Sequence, residues 1–300
     1  MTTTTMRLGI DLGGTKIEAA VLDDAGAIRV RRRVATPRSY DELLCEIVEI
    51  VRAVEDEVGT VRGVGIGTPG QPSPVTGLMA NAENTPLEGQ PFVRDLEVML
   101  ERPSRLANDA ACFALSEASD GAGAAARVVV GVVAGTGVGG GIVVDGRLIG
   151  ACEWGHSPLP WAEPYEADMP CTCGRHGCIE ALLAGPGLAR DHERTTGQPI
   201  AGAVIAAQAR AGDAASIATI ERYADRMARA LASVVNLVDP DVIVLGGGVS
   251  NIDLLYELVP ARLAQWVAVR PPRVRVVRNH HGDASGVRGA AWLWPPTSQC

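Results

Sequence analysis

The chain has 300 residues, of which 47% are hydrophobic, enough for one large domain or two ordinary ones with a substantial core. Acidic residues outnumber basic residues by 35 to 27, and the net charge of −8 argues against a nucleic-acid partner. The N-terminus shows no secretory signal, and the uncharged run 128–144 is rich in glycine and β-branched residues, which favours buried strands over a membrane-spanning helix. The sequence therefore predicts a cytoplasmic globular protein without a membrane partner.

The first predicted element is a strand, a glycine turn and a second strand around DLGGTK, residues 11–16. Glycine has no Cβ, so backbone N–H groups at such a turn can converge on a phosphate. Asp11 stands at the end of the first strand, where a carboxylate could orient hydrated Mg²⁺. Lys16 is the only lysine of the chain. The alternative interpretation is an ordinary glycine hairpin.

A helix is predicted over 39–58, where apolar residues recur at helical spacing after the candidate N-cap Ser39. A strand ending in glycines follows at 61–70. The run NDAACFALSEAS predicts another helix that begins at Asn108 or Asp109. A phosphoryl-transfer enzyme needs one carboxylate to accept the proton of the attacking hydroxyl. Asp109 is therefore the candidate base, with simple helix capping as the alternative.

The second half of the chain repeats this order of elements. A hairpin is predicted over 130–149, a long amphipathic helix over 216–238, and a strand ending in glycines over 240–250. The like order predicts two lobes of like topology, each a sheet with helices.

Two glycine clusters punctuate this second half. GTGVGG, 135–140, matches the dinucleotide fingerprint, but that fingerprint requires a following helix, whereas GIVVDGRLI predicts a strand and a hairpin. We interpret the run as a second phosphate loop. LGGGVSN, 245–251, follows a buried strand, and its bare glycines would let a flat ring or a sugar approach the backbone. The alternative is a tight strand-to-helix turn.

Three cysteines, Cys171, Cys173 and Cys178, form a C-x-C-x4-C pattern. A disulfide is disfavoured in a reducing compartment, whereas three cysteines and one histidine make a closed tetrahedral zinc site. We predict His156 as the fourth ligand, with His176 and Cys152 as alternatives. Four protein ligands leave no open position, so the metal would be structural. It would hold two flanking carboxylates in place for the hydroxyls of a sugar, those of Glu153 and Glu180.

The motifs DLGGTK, LANDAACFALSEA, GTGVGGG, EWGHSPLPW, CTCGRHGCIE, DPDVIVLGGGVSN and HGDASGVRGAAWLWP, in this order, resemble the ROK family of bacterial sugar kinases. The resemblance implies an α/β fold of the two-lobed actin/hexokinase/Hsp70 type, ribonuclease H-like and duplicated, with a cleft between the lobes. The N-terminal lobe would be 1–120, completed by a C-terminal helix at 286–300, and the larger lobe with the zinc loop would be 121–285.

The resemblance also implies the roles of individual residues in an ATP- and Mg²⁺-dependent kinase that phosphorylates the C6 hydroxyl of a hexose, with structural Zn²⁺ and a homodimer. Asp109 would be the catalytic base. The hexose would contact Gly70, Asn81, Asn84, Asn108, Glu153, His156 and Glu180. ATP would contact Asp11, Gly13, Gly14, Thr15, Lys16, Gly135, Thr136, Gly137 and, along the adenosine, Gly246, Gly247 and Gly248. Zinc would be held by His156, Cys171, Cys173 and Cys178.

The motifs EWGHSPLPW and GVRGAAWLWP look most like the fructokinase (mannofructokinase) branch, so fructose is the expected acceptor and mannose a second one. N-acetylglucosamine kinase is the nearest alternative, followed by glucokinase. One segment departs from the family: residues 149–152 run directly into Glu153, so the loop is short and Cys152 replaces a glycine. This departure favours a second class of function, a sugar sensor without turnover. Asp109 and the two phosphate loops favour the enzyme.

Overall fold

The computed structural model describes residues 6–61, 63–82 and 85–295, with only the backbone at 150 and 151. The chain divides into two compact units. The N-terminal unit extends to Asp120 and resumes at Asp283, and the C-terminal unit spans Gly121–Gly282. Asn84, one of the residues expected to contact the hexose, lies outside the described residues.

The N-terminal unit is built on a five-stranded mixed sheet in the order β3-β2-β1-β4-β7. β1, β2 and β3 are antiparallel neighbours, whereas β4 and β7 run parallel to β1. The strands are β1 (Arg7–Leu12), β2 (Lys16–Leu22), β3 (Ile28–Ala35), β4 (Val64–Thr68), β5 (Gln71–Pro72), β6 (Met79–Ala80) and β7 (Ser104–Asn108), of which β5 and β6 form a separate two-stranded ribbon. The helices are α1 (Tyr40–Val58), α2 (Phe92–Leu100) and α3 (Asp109–Ser119).

The C-terminal unit repeats that topology, with the strand order β10-β9-β8-β11-β12 and the same pattern of antiparallel and parallel neighbours. This confirms the duplicated α/β fold. The strands are β8 (Val128–Ala134), β9 (Val138–Val144), β10 (Arg147–Cys152), β11 (Val242–Gly246) and β12 (Arg275–Arg278). The helices are α4 (Pro164–Ala167), α5 (Ile179–Leu183), α6 (Gly185–Thr196), α7 (Gly202–Arg210), α8 (Ala214–Val238) and α9 (Leu255–Trp266).

The glycine turn at 135–137 is followed by strand β9 and not by a helix, as the sequence predicts, so the dinucleotide interpretation is excluded. The uncharged run 128–144 forms β8 and β9, two buried strands of one sheet. Within the described ranges, no helix has both the length and the apolar character that crossing a membrane would require.

The last helix, α10 (Ser285–Trp292), returns the chain to the N-terminal unit and packs on β1, β4 and α3. It is shorter than the predicted helix 286–300, since it ends at Trp292 and a proline follows at 295. Gly9 of β1 and Gly65 of β4 explain the close packing, because a Cβ on either residue would overlap the backbone of α10. The helix therefore lies directly against the sheet beside Asp11.

Candidate active site and metal centre

Two carboxylates mark the edge of the N-terminal sheet. Asp11 lies near the end of β1, and Asp109 is the first residue of α3, directly after β7. Asn108 is the N-cap of this helix, and its side-chain oxygen accepts a hydrogen bond of 2.9 Å from the Ala110 N–H. The same N–H also lies 2.7 Å from Asp109 Oδ1. Because Asn108 provides the cap, capping alone does not account for the exposed carboxylate of Asp109.

The Asp11 carboxyl lies in a strongly unfavourable electrostatic environment. Its pKa is raised to about 6, chiefly by burial and then by the charges of Asp109 and Glu18, whereas Lys16 lowers it. A Cβ on Gly286 of α10 would lie 2.8 Å from Asp11 Oδ2, so this glycine makes room for the carboxylate. Carboxylates that lie close enough to repel each other in this way are typical of functional sites. A cation such as the Mg²⁺ of a bound nucleotide would relieve the repulsion.

The first glycine turn connects β1 to β2 beside Asp11. It is closed by a 3.0 Å hydrogen bond from the Gly13 N–H to the Lys16 carbonyl, and Thr36 Oγ1 donates to the Gly13 carbonyl at 2.7 Å. A Cβ on Gly14 would meet no atom within 4 Å, and neither glycine has a positive φ. The fold therefore does not itself require glycine at Gly14, which is expected if the space is reserved for a ligand.

The second glycine turn connects β8 to β9 and is closed by a 2.9 Å hydrogen bond from the Gly135 N–H to the Gly137 carbonyl. A Cβ on Gly135 would meet nothing within 4 Å. A Cβ on Gly137, in contrast, would lie 2.7 Å from Glu180 Oε2. Gly135 therefore resembles Gly14, whereas a Cβ at Gly137 would displace the Glu180 carboxylate from its present position.

The third glycine cluster follows β11. Gly247 has a φ of 76°, and a Cβ there would overlap the backbone of Ala134 at the end of β8. Gly246 is buried at the end of the strand, whereas Gly248 is exposed and a Cβ on it would meet nothing within 4 Å. The cluster thus lies next to the second glycine turn, and Gly248 is the position where a ligand could approach the backbone.

The four predicted metal ligands come together. One ligand atom from each of His156, Cys171, Cys173 and Cys178 lies within 4.8 Å of the other three. His156 Nδ1 is 3.7 Å from Cys171 Sγ, and Cys173 Sγ is 3.6 Å from Cys178 Sγ. A zinc–sulfur bond of about 2.3 Å places the corners of a tetrahedron roughly 3.8 Å apart, so the set fits Zn²⁺.

The cysteine loop, residues 171–178, is held in a tight conformation by its own backbone. The Cys171 N–H donates to the Arg175 carbonyl at 2.9 Å, and the Gly174 N–H donates to the Cys171 carbonyl at 3.0 Å. Gly174 and Gly177 both have a left-handed φ, of 80° and 68°, which side chains disfavour. Hydrogen bonding to Arg175 lowers the pKa of the Cys173 thiol to about 6, which favours the thiolate that binds a metal.

Glu180, in the first turn of α5, connects the cysteine loop to the second glycine turn. Its Oε2 accepts a 3.0 Å hydrogen bond from the Val138 N–H, and its Oε1 lies 3.3 Å from Thr172 Oγ1 and 4.0 Å from His156 Nδ1. Thr172 was not among the predicted site residues, and nothing in its own sequence context signals this contact.

Glu153 and His156 occupy a single turn of 3₁₀ helix, Trp154–His156, for which Glu153 is the N-cap. The turn packs on the start of β9, because a Cβ on Gly155 would overlap the Val138 backbone. Glu153 is exposed, whereas His156 is half-buried against the cysteines. The predicted sugar and metal ligands of the C-terminal unit therefore surround the beginning of one strand.

Gly70 and Asn81, which are expected to contact the hexose, flank the β5–β6 ribbon and lie together in the N-terminal unit. Gly70 has a φ of 69°, and a Cβ there would lie 2.7 Å from the carbonyl carbon of Asn81. Asn81 is exposed and is itself left-handed, with a φ of 59°. Gly70 is therefore required by the ribbon, and Asn81 is the residue of this pair whose side chain can reach a ligand.

Comparison with known proteins identifies the family. N-acetyl-D-glucosamine kinase of Pectobacterium atrosepticum is 38% identical over 299 residues, 96% of this chain and 98% of the relative. The enzyme of that name from Escherichia coli O139:H28 is 40% identical over 301 residues, 96% of this chain and 99% of the relative.

Solved structures agree with these relatives. A ROK hexokinase from Thermus thermophilus superposes with a TM-score of 0.84 at 31% identity, covering 96% of this chain and 97% of that one. A ROK family glucokinase from Streptomyces griseus, in complex with glucose and AMPPNP, superposes with a TM-score of 0.76 at 28% identity over 96% and 98%. The ROK family profile matches residues 7–297. The chain therefore belongs to the ROK family of sugar kinases.

Proposed function

We propose that the protein transfers the γ-phosphoryl group of Mg²⁺·ATP to the C6 hydroxyl of N-acetylglucosamine. The observation that carries the chemistry is the position of Asp109, exposed at the start of α3 and close enough to Asp11 to raise its pKa. The observation that favours this sugar is the 38–40% identity to N-acetyl-D-glucosamine kinases over nearly the whole chain. This sugar replaces fructose, which the tryptophan-containing motifs favoured.

In the N-terminal unit, Asp109 accepts the proton of the sugar hydroxyl as its oxygen attacks the γ-phosphorus in line. The new O–P bond forms while the bond to the β,γ-bridging oxygen breaks, and ADP leaves with Mg²⁺. Asp11 orients the water shell of the Mg²⁺ that arrives with the nucleotide, which offsets the repulsion between the two carboxylates. Backbone N–H groups of the first glycine turn donate to phosphate oxygens.

In the C-terminal unit, the side chains of Glu153, Glu180 and His156 bind sugar hydroxyls. Zn²⁺ held by His156 and the three cysteines supplies a structural crosslink and not a reactive centre, since four protein ligands leave no open position. The crosslink joins the turn carrying Glu153 to the helix start carrying Glu180. Gly135 of the second glycine turn and Gly248 leave their backbone accessible to the nucleotide.

A coupled assay of ADP formation over N-acetylglucosamine, fructose, mannose and glucose tests this proposal. We expect the highest kcat/KM for N-acetylglucosamine. A higher kcat/KM for fructose would overturn the choice of sugar but would still support the proposed kinase activity. Binding of a sugar by calorimetry without turnover of any of the four would overturn the kinase and favour the sensor, the class of function that the short loop before Glu153 suggested.

A further inference from the structure

A buried cluster of charges lies in the C-terminal unit, and none of its members has a role in the proposed chemistry. We call it the Glu166 cluster; its members Glu166, Asp191, Arg226 and Arg229 are 1%, 6%, 1% and 4% exposed. Arg226 Nε donates to Glu166 Oε1 at 2.7 Å, and Arg229 donates to both Glu166 oxygens at 2.8 and 2.9 Å. Arg226 Nη2 also donates to Asp191 Oδ1 at 2.8 Å. Two arginines of α8 thus hold the single carboxylate of α4.

The pKa of the Glu166 carboxyl shows how strongly the two arginines stabilise its ionised form. Burial alone would raise the pKa of the Glu166 carboxyl, but hydrogen bonds from Arg229 and Arg226 outweigh it and lower the pKa to about 2. The carboxylate is therefore ionised under all ordinary conditions. Buried ion pairs add little net stability compared with apolar side chains of the same size, but bidentate arginine–carboxylate contacts define orientation sharply. The geometry indicates that the cluster fixes the orientation of α4 on α8 more than it stabilises the fold.

Glu166 is the buried anchor of helix α4. The helix has only four residues, too few to be stable alone, and of these Glu166 is buried. Glu166 also completes a capping box, because its Oε2 accepts a 2.9 Å hydrogen bond from the Glu163 N–H. The same side chain therefore caps the short helix and fastens it to α8.

The end of α4 is the surface on which the cysteine loop lies. The Gly177 N–H donates to the Met169 carbonyl at 2.8 Å, and Pro170 forms an isolated β-bridge with His176. A Cβ on Gly177 would lie 2.9 Å from the Ala167 carbonyl oxygen. Gly177 directly precedes the metal ligand Cys178, which is followed by α5 and Glu180. A continuous path of contacts therefore leads from α8 through Glu166 to the groups that we assign to sugar binding.

We propose that Glu166, Arg226 and Arg229 are positioning residues for the sugar site, which place the cysteine loop and Glu180 without touching substrate. This inference rests on the proposed function of Glu180, but its placement of the loop can be tested without turnover. A role in sugar positioning predicts a selective effect on the sugar KM, whereas a merely structural role predicts a lower melting temperature alone.

The test is Glu166→Gln, which keeps the size of the side chain and leaves two buried arginines facing a neutral amide. We expect the sugar KM to rise about tenfold while the ATP KM changes less than about twofold. We also expect faster hydrogen–deuterium exchange in the peptide that contains Gly177, with unchanged exchange in β11 and β12. Should Glu166→Gln fail to fold, Glu166→Asp keeps the charge but is too short to meet both arginines, and it should shift both measurements in the same direction.

Arg222→Gln is the matched control. Arg222 Nε donates to the same cluster at Asp191 Oδ2, 2.8 Å away, but its side chain is 32% exposed, and its other hydrogen bonds go to Thr195 of α6 and Thr219 of α8. We expect wild-type KM values and exchange for this variant. A folded Glu166→Gln protein with a lower melting temperature but wild-type sugar KM and loop exchange would overturn the proposal, as would an equal rise of both KM values. If the wild type phosphorylates no sugar, the proposed kinase function is wrong. The exchange measurement still decides whether the Glu166 cluster positions the cysteine loop.

Discussion

The protein contains two groups of carboxylates whose environments differ in one respect, the source of the compensating positive charge. Asp11 in the N-terminal unit is only partly buried, yet its pKa is raised to about 6 by burial and by the neighbouring charges of Asp109 and Glu18. Glu166 in the C-terminal unit is buried more completely, yet its pKa is lowered to about 2 by hydrogen bonds from two arginines, which outweigh the effect of burial. Burial alone therefore does not decide how a carboxylate behaves in this fold.

The difference separates a site that is ready for a ligand from one that is complete. At Glu166 the chain supplies two guanidinium groups with good geometry, and nothing further needs to bind. At Asp11 the charges of Asp109 and Glu18 each raise the pKa by more than the cationic Lys16 lowers it. The repulsion at Asp11 therefore favours the binding of a cation, and in the proposed function this cation is the Mg²⁺ of the nucleotide. The contrast therefore separates a pair of carboxylates whose repulsion is left uncompensated from a cluster whose charges are already paired.

The largest expected effect comes from Asp109→Asn. The amide keeps the shape of the side chain but cannot accept a proton, so kcat should fall by about 10²–10⁴-fold while the sugar KM stays nearly unchanged. Steady-state kinetics with N-acetylglucosamine measure both. Asp41→Asn is the control, because Asp41 also lies in the first turn of a helix, α1, away from this site. Wild-type kcat in Asp109→Asn would refute the assignment of the base.

Cys173→Ser should lower stability and weaken sugar binding, and it should change kcat less. The wild type is expected to hold about one zinc per chain, and binding of a structural metal contributes directly to folding free energy. The variant should therefore lose zinc by elemental analysis, melt at a lower temperature and show a larger rise in sugar KM than in ATP KM. Cys45→Ser, which changes an exposed cysteine outside the cluster, should match the wild type. A zinc-free wild type with full stability would remove the basis of this prediction.

The two carboxylates predict opposite dependences of stability on pH. The folded pKa of Asp11 lies above the ordinary value of 3.8 for an aspartate, so its ionisation destabilises the fold as pH rises from about 4 through about 6. The folded pKa of Glu166 lies below the ordinary value of 4.5 for a glutamate, so its contribution is present above about pH 4.5 and is lost as pH falls toward 2. Melting curves of nucleotide-free Asp11→Asn and Glu166→Gln, each compared with wild type across this range, should therefore deviate in opposite directions. Deviations of the same sign would contradict the contrast.

The smallest effects are expected from alanine at two neighbouring glycines. A Cβ at Gly135 meets nothing in the protein, so Gly135→Ala should leave the melting temperature unchanged and raise the ATP KM severalfold. A Cβ at Gly137 would press on Glu180 Oε2, so Gly137→Ala should raise the sugar KM as well. Kinetics with each substrate varied in turn distinguish these outcomes. Equal effects of the two substitutions on both KM values would show that the turn acts as one unit.

Local patterns in the sequence were enough to predict the fold class and much of the candidate site. The cysteine spacing and a nearby histidine predicted the four side chains that come together, because a loop of eight residues cannot carry its cysteines far apart. Asn108 or Asp109 was predicted to begin α3, and the structure shows Asn108 as the N-cap. The run after Gly137 predicts a strand because it is rich in glycine and β-branched residues, and the structure shows β9 there. Each of these features depends on neighbours within a few positions of the chain.

Only the tertiary structure decided which groups surround these motifs. Glu166 and Arg226 lie 60 positions apart, and no local signal pairs them, because their contact depends on how α8 packs beside α4. The raised pKa of Asp11 likewise depends on Asp109, which α3 brings to the end of β1. The motif around Gly137 predicts a phosphate contact, and only the structure shows that Glu180, 43 residues later, lies beside the same glycine. Spacing along the chain determines which residues form a turn or a loop, but the packing of helices on sheets determines which charges meet.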